Sequence, residues 1–190
     1  MTDLVAPTVA GRLPKVPEDS LLASVLLSFL ATAGLFYVNI MAALVDGLIS
    51  GARLSAKEAG LVASANVYGA AVGALAAVFV IRRLPWRPTA VAVLLGHVAI
   101  DLVSILIKSP ANLRGIRLLH GIIGGLLVVV AFGVIARSAT PDRTFGMLLV
   151  VQFGLGGLGL MFLPRLVPLF GHGVLFLALA AFSLATLAMV

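Results

Sequence analysis

Four ionisable side chains lie inside stretches of the sequence that are otherwise apolar. His97 and Asp101 are four residues apart in one stretch, and Arg117 and His120 are three residues apart at the start of the next. A charged side chain at the centre of a bilayer costs about 3 kcal/mol on insertion scales, so such a group serves a function or has a partner. Imidazole changes its charge near neutral pH. The acid, the arginine and the two histidines therefore predict an ion pair with proton carriers beside it.

The spacing of these residues places the acid and the arginine at the same depth. Residues four apart share a helix face, as His97 and Asp101 do, and Arg117 shares a face with Gly121. Counted from the loop 108-KSPAN-112 at about 1.5 Å per residue, Asp101 lies roughly 10 Å along one helix and Arg117 roughly 8 Å along the next. Helices joined by so short a loop run antiparallel and pack side by side. We therefore predict an Asp101–Arg117 ion pair.

The two arginines that follow this loop have a second interpretation. Long cationic side chains snorkel to the membrane interface, which is the behaviour expected of Arg114 and an alternative for Arg117. An acidic side chain is too short to snorkel far, so Asp101 needs a partner inside the protein. The ion pair is then either a site for substrate binding or proton coupling, or a structural link that only holds the two helices together.

Three uncharged polar residues also interrupt the apolar stretches, namely Asn39, Asn66 and Gln152. Such side chains form hydrogen bonds between helices more often than they bind a ligand. We keep both roles open for all three. The three histidines are too dispersed in sequence to indicate a metal site, and the absence of a phosphate-binding loop leaves no cofactor to expect.

The composition indicates a protein of the membrane. Of the 190 residues, 62% are hydrophobic and 11% charged, and the mean hydropathy of +1.20 lies far above that of soluble domains. A helix needs roughly 20 apolar residues to cross a bilayer. Six such stretches follow a polar tail at residues 1–19. They predict an all-α transmembrane domain over residues 20–190, with helices at approximately 21–45, 59–81, 88–107, 115–136, 144–164 and 172–190.

Lysine and arginine in the loops set the expected orientation. If Arg114 and Arg117 belong to the fourth helix, one side of the membrane holds seven basic residues and the other holds four. Basic loops remain in the cytoplasm, so we expect both termini there, at the inner (plasma) membrane of a bacterium. These bases are scattered through short loops, which fits anionic lipid and not nucleic acid. The seven are Arg12, Lys15, Arg82, Arg83, Arg87, Arg137 and Arg143.

Small residues recur at four-residue spacing in two of the predicted helices. Gly69 and Gly73 form such a series in the second helix, and Gly121 and Gly125 form one in the fourth. Lipid gives little hydrophobic drive for helix association, so small residues that let backbones approach are typical of packing faces. We expect these four glycines to pack helices. The fifth helix is also rich in glycine, which suggests that it deforms easily.

With these motifs the chain resembles the amino-terminal six-helix half of a major facilitator superfamily transporter, over nearly all of residues 21–190. In that family the fourth helix commonly begins with an arginine followed by glycines at four-residue intervals, as Arg117, Gly121 and Gly125 do; His120 stands where the family often has glutamine. The resemblance implies that Arg117 faces a water-accessible central cavity. It also implies a second six-helix half, because the family's substrate site lies between two halves.

The resulting prediction is a secondary active transporter, or its N-terminal half, that moves a small solute by alternating access, with proton coupling as an option. The alternative is a non-transporting accessory or assembly subunit of a larger membrane complex. An enzyme is not expected, since neither the Gly-x-Ser-Gly setting of rhomboid-like proteases nor a His-Glu-x-x-His zinc motif occurs. The expected partners are the lipid bilayer, a small-molecule substrate, and a second six-helix half or homodimer partner.

Overall fold

The computed structural model describes Pro17 and residues 19–190, and every regular element in this part of the chain is helical. The predicted polar tail, residues 1–19, lies outside the described residues except for Pro17 and Asp19. A single turn of 3₁₀ helix, Ile81–Arg83, follows the third helix. The α-helices are α1 (Leu21–Asn39), α2 (Met41–Ser50), α3 (Ala56–Val80), α4 (Trp86–Leu106), α5 (Pro110–Ile135), α6 (Pro141–Phe170) and α7 (Gly173–Leu187).

Five of the helices are long and apolar enough to cross a membrane, namely α1, α3, α4, α5 and α6. The last helix, α7, has 15 residues and therefore rises about 22 Å, and its sequence is almost entirely apolar. Together with α2, which extends the first span, these helices make an all-α, six-span bundle, as the sequence predicts. Connections of a few residues make consecutive spans antiparallel.

The first span is broken about two-thirds of the way along, so that α1 has 19 residues and α2 has 10. Helix α1 ends at Asn39, and Ile40 adopts φ −105° and ψ 14° before α2 begins at Met41. The backbone hydrogen bonds continue across the break, since the amide of Ile40 donates to Phe36 and the amide of Leu44 donates to Ile40. The span therefore runs from residue 21 to residue 50, further than the sequence predicts.

The fifth span is longer than predicted and passes through two prolines. The sequence predicts a turn around residues 165–173, but α6 remains helical to Phe170 with Pro164 and Pro168 inside it. Proline removes a backbone donor, and a membrane helix tolerates this where neighbouring helices pack against it. Here Val167, 3% exposed, packs against the glycine backbone of α2. The chain turns only at Gly171, whose φ of 75° suits glycine.

The helices pack so that α5 lies at the centre of the bundle. It contacts α3, α4 and α1, while α6 packs on α1 and α7 packs on α4. The buried apolar residues form two clusters, one built around α2 and the first turns of α5 and α7, the other around α1, α4 and the second half of α5. Within α5, Arg117 and His120 lie between Leu113 of the first cluster and Leu127 of the second. The ionisable residues therefore lie between two apolar layers.

Helices α3 and α5 approach until their backbones touch. A Cβ atom at Gly73 would lie 1.9 Å from the carbonyl oxygen of Ile122, and one at Gly121 would lie 2.0 Å from that of Asn66. Gly69 and Gly125 are equally close, at 2.2 and 2.1 Å from carbonyl oxygens of the opposite helix. No residue larger than glycine fits at these four positions. The close approach fixes the relative position of the two helices and aligns their polar side chains.

Candidate functional site

The centre of the site is an ion pair between α4 and α5. The Arg117 guanidinium donates from Nη1 to Oδ1 of Asp101 over 2.8 Å, and neither side chain has any exposed surface. Charges of opposite sign at this distance attract each other strongly where water is excluded, and breaking such a pair leaves an uncompensated buried charge. The structure thus brings together the two residues that the sequence places at equal depth.

The rest of the Arg117 guanidinium is held by α4 and by two aromatic rings. Its Nη2 atom donates to the hydroxyl of Ser104 and, over 3.2 Å, to the carbonyl oxygen of Ile100. Its Cζ atom lies 4.9 Å from the centroid of the Phe176 ring and 5.9 Å from that of Tyr37. A cation over an aromatic face is stabilised by the ring quadrupole. Four helices, α1, α4, α5 and α7, therefore enclose one positive charge.

Helix α3 reaches the site through Asn66, which contacts His120 of α5. The Nδ2 atom of Asn66 lies 2.9 Å from Nδ1 of His120 and donates to the carbonyl oxygen of Arg117 over 3.2 Å. The opposite ring nitrogen, Nε2, lies 3.5 Å from Oδ1 of Asp101. The same carboxylate oxygen therefore faces both Arg117 and His120. This arrangement links α3, α4 and α5 through side chains that are all at least nine-tenths buried.

The second histidine, His97, lies against the ring of the first. The rings of His97 and His120 stack with centroids 4.2 Å apart and planes 18° apart. His97 is 1% exposed, and neither of its ring nitrogens has a hydrogen-bond partner among the described residues. A Cβ atom at Gly124 would lie 3.3 Å from Nε2 of His97, so this glycine leaves the ring its space. The parallel rings do not converge on a common point, which does not suit a shared metal ion.

Unpaired polar atoms are concentrated at this site. Among the described residues, seven buried side-chain nitrogen or oxygen atoms have no partner, and five of them belong to the site. Those five are both ring nitrogens of His97, Oδ2 of Asp101, Nε of Arg117 and the hydroxyl of Tyr37. Buried polar groups are almost always paired, and exceptions are typical of functional sites. The site therefore holds spare positions that accept or donate a hydrogen bond.

A second polar contact joins α1 and α6. The side-chain amide of Gln152 donates to Oδ1 of Asn39 over 3.2 Å, and Nδ2 of Asn39 donates to the carbonyl oxygen of Gln152 over 3.5 Å. Both residues are partly exposed, in contrast to Asn66. Gly156, one turn further along α6, is close enough that a Cβ atom would lie 3.0 Å from Cβ of Asn39. Each of the three amides identified in the sequence thus bonds to a neighbouring helix.

A further polar cluster lies near the start of α1 and α6, and the sequence did not suggest it. The hydroxyl of Thr144 donates to Ser24 over 3.0 Å, and Ser28 donates to the carbonyl oxygen of Ser24. Arg143 donates from Nε to the Ser24 hydroxyl over 3.3 Å. The hydroxyls are buried, and single serines and threonines in apolar helices give little signal because they also bond their own backbone. This cluster joins the two helices at the end away from Asn39.

The position of Arg117 differs from the expectation drawn from the family resemblance. Its side chain has no exposed surface and contacts no open crevice, whereas the resemblance implies a residue facing a central cavity. Complete burial also excludes snorkelling for Arg117, while Arg114 is exposed as expected. The reason is that Asp101, Ser104 and the Ile100 carbonyl supply the partners that water would supply in a cavity. Ser104, three residues after Asp101, is a further partner of Arg117 that the sequence analysis did not identify.

The comparison with curated proteins finds no match. A family model described as "Uncharacterised MFS-type transporter YbfB" matches residues 22–190, which includes every helix described above except the first residue of α1. The match extends over the ion pair, the two histidines and the interlocking glycines. A match across so much of the chain, on an all-helical membrane bundle, establishes that the protein belongs to this family of major facilitator transporters.

Proposed function

We propose that the chain is one six-helix half of a secondary active transporter that moves a small solute by alternating access, and that proton binding at the Asp101–Arg117 pair drives the change. The observation that carries this proposal is the shared carboxylate: Oδ1 of Asp101 lies 2.8 Å from Arg117 and 3.5 Å from His120. A proton on Asp101 removes the charge that holds the arginine. The contact between α4 and α5 then weakens.

The burial of the site determines its role within this proposal. Since Arg117 and Asp101 are inaccessible in this conformation, they act on the helix arrangement and do not contact the solute. His97 and His120 are the titratable groups beside this carboxylate. The energy of a buried ion pair is large enough to bias two arrangements of a helix pair, because separating the charges leaves each one unpaired.

Solute contact is better assigned to residues that retain exposed surface. Asn39 and Gln152 lie partly exposed between α1 and α6 and offer both donors and acceptors. Uncharged amides suit a solute with hydroxyl, carbonyl or amine groups. Asn66 has almost no exposed surface to offer, being 2% exposed, so its role is confined to the buried site.

The proposal requires a second six-helix unit, either another half or a second copy of this chain. Among the five long helices, α6 is the least covered by the rest of the bundle. Of the residues in its most apolar segment 17% are buried, against 44% in α1 and α5. Its exposed residues include Phe153 and two glycines, Gly154 and Gly157. A face of this kind meets either lipid or a partner helix. The orientation with both termini in the cytoplasm of a bacterium is part of the proposal.

The absence of cysteine makes the test direct, because a single introduced cysteine is the only reactive thiol. In Asn39→Cys protein reconstituted in liposomes, we expect the rate of labelling by a membrane-impermeant maleimide to change several-fold between neutral and acidic pH. Adding Asp101→Asn, which mimics the protonated acid, should fix the rate near its acidic value. Arg114→Cys, at an exposed helix end, is the matched control for the pH dependence of the reagent.

Equal labelling of the Asn39→Cys protein at both pH values, and in the Asp101→Asn background, would contradict coupling between the ion pair and the helix arrangement. Transport itself is tested with a pH-sensitive dye trapped in the liposomes while amino acids, sugars, organic cations and organic anions are added outside in turn. We expect one class to drive proton movement in the wild type and none to do so after Asp101→Asn. Solute-driven proton movement that survives Asp101→Asn would place the coupling elsewhere.

A further inference from the structure

The side chain of Asn66 is placed to determine which nitrogen of His120 carries the proton. Its Nδ2 atom is 3.2 Å from the Arg117 carbonyl oxygen and 2.9 Å from Nδ1 of His120. Asn66 is 2% exposed and His120 is 5% exposed, so water does not compete for these positions. The backbone contact between Asn66 and Gly121 holds the two helices in this register.

Donor and acceptor chemistry fixes the roles in this contact. An amide nitrogen carries two hydrogens and accepts none, so both of its contacts must be acceptors. A carbonyl oxygen satisfies this condition always, and Nδ1 of His120 satisfies it only with its lone pair free. The reversed amide would place its oxygen against the Arg117 carbonyl oxygen, where two acceptors repel. The backbone carbonyl of Arg117 therefore sets the direction of the amide, and the amide sets the tautomer of the imidazole.

We infer that Asn66 is a positioning residue that holds His120 as the tautomer with its hydrogen on Nε2, directed at Asp101. The groups facing His120 agree with this assignment from every packed helix. They are Tyr37 of α1, with ring centroids 5.9 Å apart, Asp101 and His97 of α4, and Arg117 of its own helix. Only Asp101 among them presents an acceptor to Nε2.

The consequence for coupling rests on the proposed function. A second proton on His120 would have to enter at Nδ1, where the Asn66 amide already presents a hydrogen. The incoming proton is therefore directed to the unpaired positions, which are the ring nitrogens of His97 and Oδ2 of Asp101. In this arrangement His120 donates a hydrogen bond to the carboxylate, and the incoming proton reaches Asp101 directly or by way of His97.

Nitrogen NMR of protein labelled with ¹⁵N-histidine tests the tautomer without any transport measurement. The two ring nitrogens differ strongly in chemical shift according to protonation, and their couplings to the ring hydrogens identify them. His172→Gln and His97→Phe variants assign the three histidines. We expect wild-type His120 to show a protonated Nε2 and an unprotonated Nδ1 at neutral pH. Asn66→Leu should convert this into a mixture of both tautomers.

Asn39→Leu is the matched control, because it removes the other asparagine that bonds to a neighbouring helix and leaves His120 untouched. A wild-type spectrum with the hydrogen on Nδ1 would overturn the inference even if no variant folds. An unchanged tautomer in Asn66→Leu, or in the smaller Asn66→Ala, would overturn the assignment to Asn66. A spectrum as expected in a protein without solute-driven proton movement would retain the inference and reject the proposed function.

Discussion

Two parts of the bundle use the same residue types to opposite effect. Where α3 meets α5, glycines bring the backbones into contact, and Asn66 is buried between them. Where α1 meets α6, Asn39 remains partly exposed. On the outer face of α6, Cβ atoms at Gly154 and Gly157 would meet nothing within 4 Å. The α3–α5 interface is closely packed beside a buried charge, whereas the outer face of α6 is open. The comparison teaches that glycine and asparagine in a membrane helix report close packing only where the opposite helix supplies a matching surface.

The largest expected effect comes from breaking the buried ion pair between Asp101 and Arg117. Asp101→Asn and Arg117→Met should each lower the free energy of unfolding by about 3–5 kcal/mol, because each leaves one buried charge without its partner. The double variant should lose less than the sum of the two, since neither charge then remains. Unfolding in mixed micelles with increasing dodecyl sulfate, followed by circular dichroism, measures all four proteins. Additive losses would show that the two side chains do not stabilise each other.

The glycines provide the next and most direct test of the comparison. Gly121→Val forces α3 and α5 apart, because even a Cβ atom would lie 2.0 Å from the carbonyl oxygen of Asn66. We expect a loss of about 1–3 kcal/mol or more in the free energy of unfolding. Gly157→Val, on the open side of α6, should change it by less than about 0.5 kcal/mol. Equal losses in the two variants, measured by the same micelle titration, would remove the distinction between the closely packed α3–α5 interface and the open face of α6.

The two asparagines sharpen the comparison at smaller energies. Asn66→Leu removes two buried hydrogen bonds and leaves the Arg117 carbonyl and His120 without their donor, so we expect a loss of about 1–2 kcal/mol. Asn39→Leu removes longer, partly exposed bonds to Gln152, and interhelical bonds of this kind contribute about 0.6 kcal/mol on average. Thermal unfolding in one detergent compares them. A greater loss in Asn39→Leu would reverse the ranking of the two interfaces.

The sequence was informative where bilayer thickness and helix geometry leave few choices. The number of apolar stretches and their lengths predict the all-α membrane bundle that the family match supports. Depth counting from one short loop placed Asp101 beside Arg117, and the structure puts their side chains 2.8 Å apart. Both results depend on a fixed rise per residue and on antiparallel packing, which are local properties of a chain in lipid.

Other features depend on contacts that no local pattern shows. Pro164 and Pro168 indicate a turn, but Val167 packs on α2 and α6 continues as a helix to Phe170. Arg117 is enclosed by Tyr37 and Phe176, which come from helices distant in sequence, so its burial follows only from the assembled bundle. The periodicity of glycine likewise predicts a packing face without saying which helix packs on it.

A gain in stability, in contrast to the losses above, is expected on the open face of α6, and the same variants test the partner. Gly154→Ala with Gly157→Ala adds two methyl groups where nothing lies within 4 Å, so better helix propensity should raise the free energy of unfolding of the isolated chain, by up to about 1 kcal/mol per residue. If a second six-helix unit packs on this face, the same methyl groups weaken the assembly. Single-molecule photobleaching in lipid measures the fraction of paired chains, and Gly146→Ala, also open, is the control. Unchanged stability and unchanged pairing together would assign this face to lipid, and the second unit would then have to pack on the exposed side of α3.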